Sequence, residues 1–322
     1  MLEKITKKEL SPKISIIGGG NVGIRYAYAL IIKGIAREIV LIDIDRKRLE
    51  GEVMDLSHTA PYTSPVNIIA GDYEDIKESD IVVITAGKNQ KQGETRIDLV
   101  HKNIELFKKI IPKIYEYAPN SIYLVVSNPV DILSYAAYKI SGKPKNEVLG
   151  SGTTLDTARF RYLLAKYYQI NARNVHAYIL GEHGDSEFPI WSSAMIGGIL
   201  IKDYHEIHEM QESERDLNGI FESVKNSAYK IIERKGETSY GIGLALARIS
   251  KAIINDENTI LSVSTLIEDY YGMNDLYLSL PSIINKKGVQ ESLKISLNKE
   301  EAKQFRYSAE KIKEIIQKTN FN

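Results

Sequence analysis

Short apolar runs and longer amphipathic segments alternate through the first half of the chain. The runs are nearly continuous and rich in Val and Ile, which is typical of strands buried on both faces of a parallel sheet. They predict strands at Ile14–Gly18, Ile39–Ile44, Val66–Ala70, Ile81–Ala86 and Ile122–Ser127. Segments of helical periodicity separate them, at Val22–Lys33, Arg46–Ser57, Arg96–Tyr117 and Val130–Ile140. This alternation predicts βαβ units and a doubly wound parallel sheet.

The pattern changes after about Gly150, where the second half mixes helices with scattered strands. It predicts helices at Thr154–Tyr168, Leu217–Arg234, Ile242–Ile254 and from about Glu300, with strands at Val175–Leu180, Thr259–Ile267 and Leu276–Pro281. We therefore expect an α/β domain over residues 1–150 and a mixed α+β domain over residues 151–322. Because no Pro/Gly/Ser-rich linker separates them, the two domains are expected to pack closely.

Composition excludes several kinds of site. Lys plus Arg and Asp plus Glu both number 42, so no overall field favours nucleic acid or a membrane as partner. The absence of cysteine excludes disulfides, thiolate metal sites and a cysteine nucleophile, and no metal site is predicted. Residues 1–13 lack the apolar run of a signal peptide, and no stretch approaches the roughly 18 apolar residues of a membrane helix. The cytoplasm is the expected location.

A glycine-rich turn lies between the first predicted strand and helix. Gly18, Gly20 and Gly23 form a G-x-G-x-x-G pattern, and Asp43 ends the next strand 20 residues after Gly23. Such glycines permit a tight turn, a close approach of the backbone to a pyrophosphate and close helix packing. A carboxylate at Asp43 would bind the adenosine ribose and repel a 2′-phosphate, which favours NAD over NADP. Together these features predict a Rossmann-type NAD-binding domain.

Three other segments carry unusual polar chemistry, at residues 85–96, 155–161 and 181–186. Asp156 and Arg159 lie three residues apart on one face of a predicted helix, whereas Arg161 is turned about 200° away from Arg159. His183 stands between glycines after an apolar strand, a position suited to a cleft. Taken singly, each has an ordinary structural interpretation: a surface salt bridge for the Asp–Arg pair and a structural role for the histidine.

Taken together, these motifs resemble the lactate/malate dehydrogenase family, and within it the bacterial enzymes that act on lactate. The resemblance runs nearly end to end. The matching stretches are Ile16–Gly23, Val53–His58, Thr85–Val100, Val126–Leu133, Gly150–Arg161, Val175–Ser186 and Ser239–Gly243. Agreement over separated stretches is far more specific than any single motif, and it favours the functional interpretation of each polar segment.

The resemblance implies hydride transfer between NADH and pyruvate, giving L-lactate, with the following roles. His183 would be the general acid/base, and Asp156 would orient it and stabilise its charged form. Arg159 would bind the substrate carboxylate through two parallel hydrogen bonds, and Arg96, on a mobile loop, would polarise the carbonyl group. Asn128 would contact nicotinamide and substrate.

The resemblance also implies a cofactor set and a substrate selector. The cofactor contacts would be Gly18, Gly20, Val22, Gly23, Asp43, Arg48, Tyr73, Gly87, Ser127, Asn128 and Ser151. Thr238 would bound the substrate pocket. Gln90 stands where malate dehydrogenases of the family carry an Arg for the second carboxylate of oxaloacetate, so a dicarboxylate would be left partly unpaired. A dehydrogenase of malate or of a bulkier L-2-hydroxy acid is the alternative, and a non-catalytic binding protein on the same fold is a more distant one.

Two further expectations concern regulation and the mobile loop. Arg161 and His176 match the positions at which allosteric bacterial members bind fructose 1,6-bisphosphate between subunits, and the family implies a homotetramer. A bisphosphate would neutralise these cations and favour the assembled state. Lys88 and Gln92 depart from the family's loop, where Ala and Pro are usual. Gln92 removes a backbone restriction and Lys88 adds a charge near the cofactor's expected path.

Overall fold

A parallel sheet forms the centre of the protein. The computed structural model describes residues 11–88, 95–208 and 214–319. The first six strands are β1 Lys13–Ile17, β2 Glu38–Ile42, β3 Asn67–Ala70, β4 Ile81–Ile84, β5 Ile122–Val125 and β6 Val148–Gly150. They lie in the order β3-β2-β1-β4-β5-β6, and every pair in this part of the sheet is parallel. The strand order reverses between β1 and β4, which is where open sheets of this kind bind ligands.

Helices cover both faces of the sheet. In chain order they are α1 Asn21–Lys33, α2 Arg46–Ser57, α3 Arg96–Tyr117, α4 Val130–Ser141, α5 Thr154–Tyr167, α6 Ile201–Ile207, α7 Glu214–Lys225, α8 Ser227–Lys235, α9 Tyr240–Ile254 and α10 Lys299–Lys318. Among the residues described, no helix is both long enough and apolar enough to span a membrane.

The sequence of strand β4 is a continuous apolar run because the strand is buried on both faces. All four of its residues are fully buried. Val82 and Ile84 pack into one cluster with α3, α4 and α10, whereas Ile81 and Val83 pack into a second cluster with α1 and α9. Successive side chains of a strand point to opposite faces, so a strand covered on both sides needs apolar residues at every position.

The second half of the chain begins with short strands. These are β7 Val175–His176, β8 Ile179–Leu180, β9 Phe188–Pro189, β10 Met195–Ile196 and β11 Ile199–Leu200. Strands β7, β10 and β11 form one small sheet, and β8 pairs with β9 in another.

Three antiparallel strands then extend the large sheet, β12 Thr259–Ile267, β13 Leu276–Asn285 and β14 Gly288–Ser292. Strand β12 joins β6 at Ser264 and Gly150. The large sheet therefore crosses residue 150, while the division into domains at that residue stays a prediction.

The predicted fold class is confirmed: a Rossmann-type doubly wound sheet is followed by a mixed α+β region. Most of the first five predicted strands extend too far at their carboxyl ends, because the apolar run continues into loop residues. Strand β1 ends at Ile17 and β5 at Val125. The extra residues, including Gly18 and Ser127, form the rim on which the candidate site lies.

Two predicted elements of the second half were wrong as drawn. The predicted strand Val175–Leu180 is two short strands in different sheets, because the chain crosses from β7 to β8 between them. The predicted helix Leu217–Arg234 is α7 and α8, broken at Asn226. There the Asn226 side chain donates to the Glu222 carbonyl at 2.8 Å, a local bond that competes with regular helix geometry.

Several short elements were not predicted, namely β6, β9, β10, β11, α6 and β14. The hairpin of β10 and β11 had a usable signal. Gly197 and Gly198 stand between two apolar pairs, and both have positive φ, +57° and +90°. Two adjacent residues of positive φ make the tight turn that joins antiparallel strands.

Candidate active site

A buried carboxylate holds two cationic side chains at the centre of the site. Asp156 Oδ2 lies 2.7 Å from His183 Nδ1, and Asp156 Oδ1 accepts a hydrogen bond from Arg159 Nη1 at 2.8 Å. The Asp156 side chain is only 4% exposed, and that of Arg159 is 13% exposed. A carboxylate that is buried and bonded at both oxygens orients both partners. The structure thus brings together three of the residues predicted from the sequence.

The main chain is fastened so that these three groups meet. Asp156 lies in the first turn of α5, with Arg159 one turn further on. Thr153, which precedes α5, donates from Oγ1 to the Ile179 carbonyl at 2.6 Å, and Thr157 Oγ1 accepts from the Ile179 N–H at 3.0 Å. Ile179 begins β8, which leads into the His183 loop. These two bonds therefore fix the position of that loop relative to α5.

Electrostatics favour the ionised form of both Asp156 and His183. Burial alone opposes the charge on His183, but the charge and hydrogen bond of Asp156 outweigh burial and raise the pKa of His183 to about 9. Burial likewise opposes the charge on Asp156, yet the neighbouring His183 and Arg159 hold the pKa of Asp156 below its ordinary value. At neutral pH the histidine is therefore an imidazolium, the form that donates a proton.

A second buried carboxyl group fixes the histidine's backbone. Asp131, in the first turn of α4, accepts from the His183 N–H at 2.8 Å and from Ser264 Oγ at 2.5 Å. It is 1% exposed. Burial raises the pKa of Asp131 to about 6, and the hydrogen bond from Ser264 limits the rise. Asp131 thus ties α4, β12 and the His183 loop together below the site.

A cavity of about 540 Å³ opens above the Asp156 group. Its lining includes Asn128, Asp156, Arg159 and His183 from the predicted set, with further residues from α7 and α8. A smaller cavity of about 230 Å³ is lined by Val22, Gly87, Ser127 and Asn128. Leu99 and Asn128 line both spaces. The two cavities therefore adjoin, which suits a cofactor and a substrate that react with each other.

The glycine-rich turn has the geometry that a dinucleotide requires. Gly18 has a φ of +116°, and a Cβ there would lie 2.6 Å from the Ala86 nitrogen. A Cβ on Gly23 would lie 2.1 Å from the Gly18 carbonyl oxygen, so helix and turn could not pack with any side chain there. By contrast, a Cβ on Gly20 would meet nothing within 4 Å. That open space is where a pyrophosphate can approach the backbone.

The amino end of α1 has the free N–H groups that bind an anion. Gly20 is the N-cap residue and has no side chain that could accept a hydrogen bond from the first turn. The first helical bond runs from the Ile24 N–H to the Gly20 carbonyl. The N–H groups of residues 21–23 precede that bond, and no described side chain accepts from them. Together with the helix dipole they form an anion site. The residues present therefore fit NAD.

Asp43 is held in place at the end of β2. Its Oδ2 accepts from the Gly19 N–H at 2.6 Å, and its Oδ1 accepts from the Asp45 N–H at 2.9 Å. These bonds hold the carboxylate beside the glycine-rich turn, as binding of the adenosine ribose requires.

Most of the other predicted cofactor residues follow the carboxyl ends of the parallel strands. Tyr73 follows β3, Gly87 follows β4, Ser127 and Asn128 follow β5, and Ser151 follows β6. Arg48 lies instead on α2, where Nη2 is 3.5 Å from Glu52 Oε1. Their contacts with the cofactor stay predictions.

Some predicted residues lie apart from the site. Arg161 and His176 do not line the large cavity; Arg161 Nη2 donates to the Ala172 carbonyl at 3.4 Å, on the side of α5 that faces β7. Thr238 is half-buried between α8 and α9 and is also not part of the cavity lining. Gln90, Gln92 and the side chain of Arg96 lie outside the described residues.

Two site residues were not predicted, Asp131 and Glu187. A carboxylate at the start of a helix is an ordinary sequence feature, so Asp131 carried no distinguishing signal. Glu187 belongs to the same loop as His183 and precedes buried Phe188. It is 6% exposed and lines the large cavity. Side-chain atoms of Asp156, His183 and Glu187 lie within 4.8 Å of one another.

This combination of a dinucleotide groove with an adjoining acid–base site defines an NAD-dependent oxidoreductase. Family models bear this out. One, described as the NAD-binding domain of lactate/malate dehydrogenase, matches residues 12–150, and the family's alpha/beta C-terminal domain matches residues 153–321. The chain belongs to the lactate/malate dehydrogenase family.

Similar proteins cover nearly the whole chain. An L-lactate dehydrogenase of Clostridium botulinum is 52% identical over 96% of this chain and 98% of its own length. One from Acetivibrio thermocellus is 54% identical over 94% and 96%. Among solved structures, the minor L-lactate dehydrogenase of Enterococcus mundtii is 41% identical, with a TM-score of 0.94 over 97% of this chain and 99% of that one. A lactate dehydrogenase from a Medee basin deep-sea metagenome is 47% identical, with a TM-score of 0.93 over 96% and 99%.

The bonds of Asp131 lead to a stability prediction. Asp131→Ala leaves the His183 N–H and the Ser264 hydroxyl without their partner, and each buried unsatisfied group costs about 1–3 kcal/mol. Asp131→Asn keeps one acceptor oxygen for the His183 N–H, so it should lower the free energy of unfolding less. Urea unfolding of both variants checks this. The prediction would be contradicted if Asp131→Ala were as stable as the wild type, or if both variants lost the same free energy of unfolding.

Proposed function

We propose that the protein is an L-lactate dehydrogenase that reduces pyruvate to L-lactate and catalyses the reverse reaction. The main observation that supports this proposal is the Asp156–His183–Arg159 group, which lies at a cavity that adjoins the dinucleotide groove. It combines a proton donor with a carboxylate-binding cation, which are the two functions that reduction of a 2-oxo acid requires. The names of the relatives support the choice of lactate.

Arg159 is the group that binds the substrate carboxylate. A guanidinium has five N–H donors, and the bond from Nη1 to Asp156 leaves others for a ligand in the cavity. Its planar fork matches a carboxylate, which an ammonium group cannot do. Asp156 also keeps the Arg159 side chain from turning away. Binding at this point sets the keto group of the substrate beside His183.

His183 transfers the proton. Its Nδ1 is engaged by Asp156, so Nε2 is the ring atom that faces the keto oxygen. In reduction, Nε2 donates its proton to that oxygen, and in the reverse reaction it removes the proton from the lactate hydroxyl. Asp156 stays ionised in both directions and stabilises the imidazolium.

NADH, when bound, supplies the hydride that reduces the keto carbon. The chain holds it through the open backbone at Gly20, the N–H groups at the start of α1 and the Asp43 carboxylate. Asp43 also disfavours NADP, since a 2′-phosphate would meet a fixed negative charge. Asn128 lines both cavities and is therefore suited to contact nicotinamide and substrate together.

The remaining roles rest on the family resemblance. Arg96 stabilises negative charge that develops on the keto oxygen, and closing the loop excludes water from the reaction. Gln90 offers no charge for a second carboxylate, which disfavours oxaloacetate. Thr238, which does not line the large cavity, stays a predicted pocket residue. The cytoplasm stays the predicted location.

The experiment that tests this function compares pyruvate, oxaloacetate and 2-oxoisocaproate. The loss of NADH absorbance is followed with each acid at the same concentration. We expect kcat/KM to be highest for pyruvate, since one carboxylate matches Arg159 and the neutral Gln90 provides no cation for a second one. A preference for oxaloacetate or for the branched acid would overturn the assignment to lactate.

The pKa of His183 predicts how activity depends on pH. Reduction needs the imidazolium, so deprotonation of His183 should lower kcat/KM for pyruvate above about 9. In Asp156→Asn the raising charge is lost while burial remains. The fall should then move to lower pH by about 1–3 units.

A control variant for this profile is Glu310→Gln, which changes an exposed carboxylate of α10 outside the cavity. Its fall should stay near that of the wild type. An unmoved pH profile in Asp156→Asn would show that Asp156 does not set the charge of His183.

We also propose a homotetramer. Tyr28 and Ile32 form an exposed stripe on α1, 47% and 59% accessible, and Tyr240 and Leu244 on the neighbouring α9 are 66% and 54% accessible. Arg25, on the same α1 stripe, lies 5.8 Å from the Tyr240 ring, which makes the two stripes continuous. Apolar patches of this kind are covered by partners, and further copies of this chain are the partner implied by the family.

Arg161 and His176 form the proposed effector site for fructose 1,6-bisphosphate. His176 is exposed on β7, which packs against α5, and Arg161 projects from α5 toward the same region. Cations from two subunits repel one another at an interface until a bisphosphate neutralises them. The effector thereby favours the assembled state and raises activity.

Arg161→Gln tests this regulation. The wild type should show a lower KM for pyruvate and a larger mass in light scattering when fructose 1,6-bisphosphate is added. Arg161→Gln should lose both responses, whereas Arg306→Gln on exposed α10 should keep them. A wild type indifferent to the bisphosphate, or an Arg161→Gln variant that still responds, would reduce both residues to interface contacts.

A further inference from the structure

Glu187 is a carboxyl group of the substrate cavity for which the reaction described above has no use. It lies in the loop between β8 and β9, where its N–H donates to the Gly184 carbonyl at 3.2 Å. The next residue, Phe188, pairs with Leu180 and packs into the main core. Because neighbouring side chains along an extended chain point in opposite directions, Glu187 is directed away from that core, and it lines the cavity.

The Glu187 carboxyl group lacks the bonds that other buried acids in this protein make. Glu182 accepts from Ser186 Oγ at 2.5 Å, and Glu301 accepts from Ser192 Oγ at 2.7 Å. Within residues 11–88, 95–208 and 214–319, no hydrogen bond or ion pair engages the Glu187 side chain. Yet Glu187 is 6% exposed. A buried carboxylate without a partner is costly, so the protonated acid is favoured.

Charged groups face Glu187 from several elements. Asp156 and Arg159 come from α5, His183 from its own loop and Lys225 from the end of α7. Burial raises the pKa of Glu187 to about 8, with the negative charge of Asp156 acting in the same direction and the cations limiting the rise. The carboxyl group is therefore protonated at neutral pH and ionises in mildly alkaline solution.

The charge of Glu187 alters the charge balance beside the proton donor. Within the bonded group of Asp156, His183 and Arg159, two cations exceed one anion by one charge while Glu187 is uncharged, which matches one substrate carboxylate. With Glu187 ionised, the excess disappears. Lys225, Asp185 and Glu222 also line the cavity. Side-chain atoms of Asp156, His183 and Glu187 lie within 4.8 Å of one another, so ionisation of Glu187 acts at short range in a partly desolvated space.

We propose that Glu187 is a specificity-determining residue: as an uncharged acid it admits one anionic carboxylate to the pocket, and as an anion it repels that carboxylate. The inference rests on the proposed function and adds a second ionisation to substrate binding. Loss of the His183 proton and loss of the Glu187 proton both weaken the binding of a 2-oxo acid, and they do so through different atoms.

Binding of oxamate to the protein–NADH complex tests this without turnover. Oxamate has the size and single charge of pyruvate and is not reduced, and quenching of NADH fluorescence reports its Kd. In the wild type the affinity should fall more steeply with pH than one ionisation allows. In Glu187→Gln, which is permanently uncharged, it should follow a single ionisation. At pH 9 this variant should bind oxamate roughly tenfold more tightly than the wild type.

The control is Glu233→Gln, which changes an exposed glutamate of α8 outside the cavity. It should retain the steep profile. Equal profiles in the wild type and Glu187→Gln would overturn the inference. If Glu187→Gln did not fold, infrared titration of the wild type gives the answer: a protonated carboxyl band that persists at neutral pH and disappears near pH 8 supports the inference, and its absence at neutral pH overturns it.

The two proposals fail separately. A wild type that does not reduce pyruvate removes the proposed function itself. A wild type that reduces pyruvate, with an oxamate profile unchanged by Glu187→Gln, removes only the role of Glu187.

Discussion

The site depends on one buried carboxylate, that of Asp156. Its two oxygens hold His183 at 2.7 Å and Arg159 at 2.8 Å, so one residue positions the proton donor and the carboxylate-binding group together. Removing one member of such a buried group leaves uncompensated charge, which costs about 3–5 kcal/mol. The surrounding structure therefore has to keep all three charges in place, and it does so through hydrogen bonds to the backbone of the segments that lead to them.

The backbone contacts explain how two distant segments form one site. Thr153 and Thr157, one turn apart on the α5 segment, bind the carbonyl and the N–H of Ile179. Asp131 binds the His183 N–H from α4, whose amino end follows β5 and Asn128. The histidine is thus held from the Rossmann sheet and from the second half of the chain. The same arrangement sets the substrate cavity next to the cofactor groove.

Sequence patterns predicted the elements whose signal is local. Val/Ile runs marked the parallel strands, and the glycine spacing marked the turn at Gly18 to Gly23. The join between β6 and β12 had no local signal, because the two strands meet at Gly150 and Ser264, far apart in the chain. The break at Asn226 depends on one side-chain bond within an otherwise helical pattern.

The residues of the candidate site also fall into those that local sequence motifs predicted and those that they did not. His183, Asp156 and Arg159 were predicted through motif resemblance, and the structure brings them together. Asp131 and Glu187 were missed because their importance comes from burial, and burial is a property of the folded chain. The sequence shows only an acid at the start of a helix and an acid in a polar loop.

The most direct test of this account is the titration of His183 by NMR, in the protein without ligands. The chain has 6 histidines, and the His183 resonance is assigned by its loss in His183→Gln. We expect a midpoint near 9, because Asp156 stabilises the imidazolium against burial. A midpoint at or below the ordinary value of 6.5 would show that Asp156 does not dominate the site.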